Sequence, residues 1–302
     1  MRKRRFLYFA LACTLAALLY WSGPVRQAVQ AGLFLCATSV IPSLFPFFVA
    51  ATLLINLGFA EGLGHLLEGP MRTLFRVGGN GASALLLGLV GGYPVGARTA
   101  AELYEKKLCT RTEAERLLAF CNNCSPAFIL SVLGYGVFQS ARAGVWLYLI
   151  HVAAALLTGL LFRRRGGGKP SPRQSAVPIR TVPLSAAFVQ AVQAGLSAML
   201  GVCAFVVLFM VVLQPLRAVP GLWGTVLTGV VELFNGAARL PASPAGFVAA
   251  AGLLGWGGLS VHCQTLSLLS GTGLSMRPYF LGKAIQGILS ALIAFALVAM
   301  AY

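Results

Sequence analysis

Five apolar runs decide what this chain of 302 residues can become. Residues 25–57, 114–138, 144–162, 186–213 and 276–301 each reach the roughly 17 to 20 residues that a helix needs to cross about 30 Å of hydrocarbon. A sixth run, residues 6–21, follows Arg2, Lys3, Arg4 and Arg5. It reads as an N-terminal anchor rather than a cleaved signal, because no small-x-small site precedes a polar mature start. Apolar residues make up 58% of the chain and charged ones only 10%, with a mean hydropathy of +0.83, which excludes a soluble domain of this length. The expected class is an all-α polytopic membrane protein with about six full spans.

The chain also repeats itself. AVQAGL occurs at 28–33 and again at 191–196, and GLVGGYPVGARTAAEL (88–103) lies over GLLGWGGLSVHCQTLS (252–267) at almost the same offset. Self-similarity over half a chain means two copies of one structural unit. In each copy an apolar segment is interrupted by glycines: 82–90 runs into GGYPVGAR, and 244–269 is split by GWGGLSVH. Matching interruptions in two halves are a pointer to a transport site near the bilayer midplane.

Charge decides how these broken segments are expected to run. Lys and Arg total 23 against seven Glu and no Asp, a net +16 that membrane topology absorbs better than nucleic-acid binding does. If the first broken segment returns to its own side, Arg72, Arg76, Lys106, Lys107, Arg111 and the cluster from Arg163 to Arg180 share the cytoplasm. Arg26, Arg142, Arg217 and Arg277 then face the other side. That satisfies the positive-inside bias, so both segments are expected to be re-entrant hairpins. Three full spans then separate the starts of the two copies, and an odd number inverts the second copy.

The domain reading follows: residues 1–24 an anchor, 25–138 the first repeat with a hairpin at 82–104, and 139–163 a linking span. Residues 164–184 are a Gly-, Pro- and Arg-rich cytoplasmic linker, and 185–302 the second repeat with a hairpin at 244–269. Residues 58–76, and more weakly 222–240, alternate charged and apolar positions as interfacial amphipathic helices do.

Polar chemistry is concentrated around the interruptions. Gly91, Gly92 and Tyr93 shape the first tip, and Arg98 follows it, either to contact a substrate or to pair with Glu102 one turn on. Asn122, Asn123 and Ser125 precede Pro126, which removes an amide donor and frees the carbonyl of Asn122, so the span is expected to break there. Ser260, His262 and Gln264 follow the second tip, where the repeat sets His262 over Arg98 and the two are expected to face each other. Lys283 and Gln286 lie one turn apart in the last span, and an intramembrane lysine is a functional-site hypothesis by default.

Two enzymatic readings fail. Cys121 and Cys124 form a lone CxxC, and Ser260 with His262 has no Asp to complete a triad. No enzyme activity, cofactor or metal site is expected, and the seven scattered cysteines do not suggest a disulfide framework. Cations without intramembrane carboxylates favour a small anionic ligand. The expected partners are the lipid bilayer and that ligand, not nucleic acid. A homo-oligomer or other membrane proteins stay open.

The succession PMRTLFRVGGNGA (70–82), GGYPVGAR (91–98), TEAERLLAFCNNCSP (112–126) and GGLSVHCQ (257–264) resembles the sporulation integral membrane proteins of the YlbJ type, which group with the nucleoside-recognition, or gate-domain, membrane proteins. Family hairpins more often read SGYPVGAK and the later motif NNSGP. Here Gly91 stands for Ser, Arg98 for Lys, and Cys124-Ser125 for Ser-Gly. The resemblance implies a transporter in the outer forespore membrane that moves dipicolinic acid from mother cell toward forespore, with sporulation membrane proteins as partners. Its gate-domain side implies a distant likeness to nucleoside transporters, and a non-transporting scaffold is a third reading.

Overall fold

A computed structural model describes residues 2–163 and 183–301; most of the expected linker, residues 164–182, lies outside them. The described residues are predominantly helical, with no strand. In chain order they form α1 (Arg2–Tyr20), α2 (Ser22–Leu35), α3 (Ile41–Asn56), α4 (Phe59–Pro70), α5 (Gly81–Gly91), α6 (Val95–Glu105) and α7 (Arg111–Leu118). These are followed by α8 (Ala141–Phe162), α9 (Leu184–Val212), α10 (Gly221–Val231), α11 (Leu233–Ala237), α12 (Pro244–Trp256), α13 (Gly258–Leu269) and α14 (Arg277–Ala301). Helix starts follow local chemistry: Thr110 and Glu113 close a capping box on α7, Ser140 caps α8, and Ser243 caps α12 with Pro244 at the first position.

Among the described residues four helical stretches are long and apolar enough to cross a membrane: Ala141–Phe162, Leu184–Val212, Pro244–Leu269 and Arg277–Met300. A fifth is reached if α1 and α2, bent by 87° at Trp21, count as one span. This departs from the expected six in three places. Residues 6–21 and 25–57, expected as two spans, give at most the one bent span. Residues 114–138 do not form one helix: α7 ends at Leu118, the chain runs irregularly past Asn122 to Pro126, and a π-helical stretch occupies Phe128–Val137. Residues 244–269, expected to fold back as a hairpin, instead run through as one stretch of spanning length interrupted at Gly257.

The straight course of residues 244–269 moves a charge. Arg111 donates to the Gly273 carbonyl at 2.8 Å, and Glu115 accepts from the Ser275 amide at 3.0 Å. The start of α14, and with it Arg277, therefore lies at the same end as α7, not opposite it. Carrying α12–α13 through rather than back puts Arg277 with the other cations.

The first broken segment does fold back. Gly88 of α5 and Gly96 of α6 approach so closely that a Cβ on Gly88 would meet the Gly96 Cα at 2.9 Å. A Cβ on either glycine would also run into the carbonyl oxygen of Cys121, so both helices of the pair lie directly on the backbone of the broken 119–126 segment. Side chains larger than hydrogen cannot be accommodated there.

The chain between α2 and α3 continues through a π-helical turn, Cys36–Val40, and lies antiparallel along α9. Gly32 packs on Val207, Cys36 lies against the Cys203 carbonyl, Gly195 packs on Val49, and Asn56 donates to the Ala187 carbonyl. Gly32 and Gly195 are the same position of AVQAGL in the two copies, and each serves as the small residue admitting the other copy's helix.

The glycine contacts are directly testable. Gly88→Ala and Gly96→Ala are each expected to lower thermal stability in detergent by about 1–3 kcal/mol, the cost of overpacking. Gly201→Ala, where nothing lies within 4 Å of the added methyl, is expected to show no loss.

Candidate functional site

Three interruptions meet in the interior: residues 92–94 between α5 and α6, the irregular stretch around Asn122, and Gly257 between α12 and α13. Lys283 of α14 reaches into their junction and is fully buried. Its Nζ donates to the Asn122 carbonyl at 2.9 Å, to Gln286 Oε1 at 2.8 Å and more distantly to the Tyr93 hydroxyl at 3.4 Å, and it sits 5.1 Å from the Tyr93 ring centroid. Three acceptors match the three N–H groups of an ammonium. The Asn122 carbonyl is the one that Pro126 was expected to free.

The acceptors are held in turn. The Tyr93 hydroxyl donates to the Leu254 carbonyl at 2.7 Å, which joins the first tip to the second broken segment and leaves the phenol oxygen to accept from Lys283. A Cβ on Gly257, whose φ is +92°, would come within 3.2 Å of the same hydroxyl, so the two interruptions touch there. Gln286 Nε2 donates to Asn123 Oδ1 at 2.9 Å, and Asn122 Nδ2 donates to Thr265 Oγ1 at 3.1 Å. Thr265 reaches the Tyr279 hydroxyl at 3.2 Å, and that hydroxyl meets His262 Nδ1 at 2.9 Å. His262 Nε2 is buried with no hydrogen-bond partner, and the ring is enclosed edge-to-face by Trp256, Tyr279 and Phe280.

Of the residues read from sequence, Tyr93, Asn122, Asn123, Lys283 and Gln286 belong to one hydrogen-bonded cluster, with His262 joined through Tyr279. Others have local duties. Ser125 accepts from the Phe128 amide, and its Cβ would meet one added to Gly92, whose φ is +80°. Gln264 donates to Ser260 at 3.3 Å on its own helix, and Gly91 packs against Val95.

Arg98 pairs with Glu102 at 2.9 Å and donates to the Ala194 carbonyl of α9 at 3.1 Å, while His262 bonds Tyr279 of α14. The two do not face each other as the repeat alignment suggested, because α6 and α13 present these positions to different neighbours. Cys121 and Cys124 are buried and unlinked.

Sequence reasoning missed Tyr279 and Thr265. A signal for the first was present, since Tyr279, Lys283, Gln286 and Ser290 fall on one face of α14 at helical spacing. His151 was also missed: its Nε2 accepts from the Cys124 amide at 3.0 Å, fixing the backbone beside Asn123. A separate apolar groove of about 880 Å³ lies between α10, α12 and α14 and shares only Trp256 with this cluster.

Residues 37–301 match the Gate family, described as nucleoside recognition. The chain belongs to this family. Among curated proteins it is 30% identical to the sporulation integral membrane protein YlbJ of Bacillus subtilis (strain 168), over 88% of this chain and 75% of that protein. No solved structure matches. As a Gate-family member with four or five helices of spanning character, the chain is an integral membrane protein.

Tyr93→Phe is expected to leave the Leu254 carbonyl buried and unpaired, lowering thermal stability by about 1–3 kcal/mol in a detergent melting experiment.

Proposed function

We propose that this Gate-family protein transports a small anionic metabolite across a bacterial membrane and that the junction around Lys283 binds the anion. The observation that carries this reading is an ammonium buried where three interruptions meet, with only carbonyl, amide and hydroxyl oxygens as its bonded partners. Burying a cation without a carboxylate is costly, and such sites within membranes are retained for function. Irregular backbone at membrane depth is tolerated where it is buried in protein or lines a pathway, and here two such stretches surround the lysine.

An inverted pair of repeats, the first with a re-entrant hairpin, is part of the proposal. Its support is the antiparallel packing of α2–α3 on α9 through equivalent glycines, and the fold-back of α6 on α5. Lys283 is fully buried, so the geometry corresponds to an occluded site. Access requires the Tyr93–Leu254 bond to open, which separates the first tip from α12. Likeness to a sporulation membrane protein makes the outer forespore membrane the proposed location and dipicolinate the first anion to test. The Gate description favours a second reading, a nucleoside as substrate.

Uptake of labelled dipicolinate into proteoliposomes separates these readings. Lys283→Met is expected to lower uptake at least about tenfold, equivalent to about 1.4 kcal/mol, while Arg98→Ala, which removes a helix-surface pair, has a smaller effect. Uptake that persists in Lys283→Met at the wild-type rate would sink the anion site. Competition by uridine but not by other carboxylates would favour the nucleoside reading, and no uptake of either would favour a scaffold.

A further inference from the structure

Among the described residues, four buried side-chain polar atoms have no hydrogen-bond partner: His151 Nδ1, His262 Nε2, Ser290 Oγ and Arg163 Nε. The first three belong to residues that adjoin the Lys283 junction. His262 reaches it through Tyr279, His151 holds the Cys124 amide beside Asn123, and Ser290 lies one turn along α14 from Gln286. Native interiors leave few such atoms unpaired, so their gathering at one place calls for a reason.

His151 and Ser290 share a depth. Phe162 at the end of α8 and Pro278 at the start of α14 line one small cavity, so those helix ends lie side by side. From Phe162 back to His151 is eleven residues and from Pro278 on to Ser290 is twelve. At about 1.5 Å each these place the two residues roughly 17 and 18 Å from that end. α8 and α14 pack along each other, and both side chains are buried.

Their chemistry is also defined. His151 Nε2 accepts from the Cys124 amide at 3.0 Å, so it carries no proton, and the neutral ring holds its hydrogen on Nδ1. That N–H is a buried donor without an acceptor. His262 differs: the Tyr279 hydroxyl at its Nδ1 can donate or accept, so neither ring nitrogen is fixed as a donor. Buried threonines turn their hydroxyls onto their own helices, as Thr158 does to the Ala154 carbonyl at 2.8 Å and Thr228 to that of Gly224 at 2.9 Å. The Ser290 hydroxyl does not.

We propose that His151 and Ser290 are a second contact for the anion held at Lys283, donating to an oxygen-bearing group about 6 Å, or one helical turn, from its charged end. This rests on the reading of the Lys283 junction as an anion site and adds the ligand's class: a small acid with two separated acceptor groups, rather than a simple monocarboxylate. Gln286, whose amide joins Lys283 to Asn123, lies between the two contacts. A neutral N–H and a hydroxyl bring no further charge, so they select by hydrogen bonding. Buried donors left unmatched are what reject a ligand that lacks the second group.

Calorimetric binding to the purified full chain in detergent, with dipicolinate against picolinate, which keeps the ring and loses one carboxylate, tests this. Wild type is expected to bind dipicolinate about tenfold more tightly, the worth of one hydrogen bond to a charged group. His151→Gln, whose side-chain carbonyl takes the Cys124 amide in place of Nε2 but carries no Nδ1–H, is expected to narrow that ratio to about twofold. Ser290→Ala removes a hydroxyl that has no partner. It is expected to melt like wild type and to narrow the ratio part of the way, which keeps the test decisive if His151→Gln does not fold. A ratio that stays at its wild-type value in the folded variants, or a wild type that binds both acids alike, overturns the second contact. Loss of both acids in Lys283→Met then leaves the Lys283 reading standing. If wild type binds neither acid, or Lys283→Met binds both as wild type does, that reading fails and the second contact fails with it.

Discussion

One buried ammonium organises the interior. Lys283 needs three acceptors in a place where most backbone groups are committed to helices, and helices cannot spare carbonyls from their middles. Asn122 supplies one because α7 stops early and the chain runs irregularly to Pro126. Tyr93 supplies another because the α5–α6 turn brings a phenol to the same point, and Gln286 a third from one turn along α14. The interruptions are therefore not independent defects. Each exists where another element requires an unpaired oxygen, and the glycines at 88 and 96 let α5 and α6 lie close enough to the 119–126 backbone for the set to close.

Much of this was legible in the sequence, for local reasons. Proline at 126 announces a freed carbonyl at Asn122, and the spacing of Lys283 and Gln286 puts them on one helical face. Arg98 and Glu102 at i and i+4 announce the pair that forms. The course of residues 244–269 was not legible. Charge counting treated both broken segments alike, yet α12 and α13 differ from α5 and α6 in one respect that matters. Gly257 and Gly258, both at positive φ, interrupt the helix without reversing it, whereas the turn after Gly91 reverses the chain. Counting charges on a single sequence cannot separate a break from a reversal.

Residues whose partners are remote in sequence were also hidden. Tyr279 and Thr265 look like ordinary apolar-span residues until Asn122 and His262 are brought beside them. Glu232, read as part of an amphipathic face, is instead fully buried and caps α11 through the amides of Phe234 and Asn235. Its carboxylate is used locally, and the same is true of Glu68, Glu102, Glu113 and Glu115.

That distribution of carboxylates has an electrical consequence for a carrier. With every one of those acidic groups tied to a nearby amide or arginine, Lys283 has no resident counter-charge to hand over when an anion arrives. A singly charged anion would cancel the ammonium, so the loaded protein would cross its midpoint nearly neutral while the empty one would carry a net positive charge through the low-dielectric interior. On the transport reading, membrane potential then acts mainly on the return of the empty carrier when the cargo is a monoanion, and on both the empty and the loaded carrier when it is a dianion such as dipicolinate.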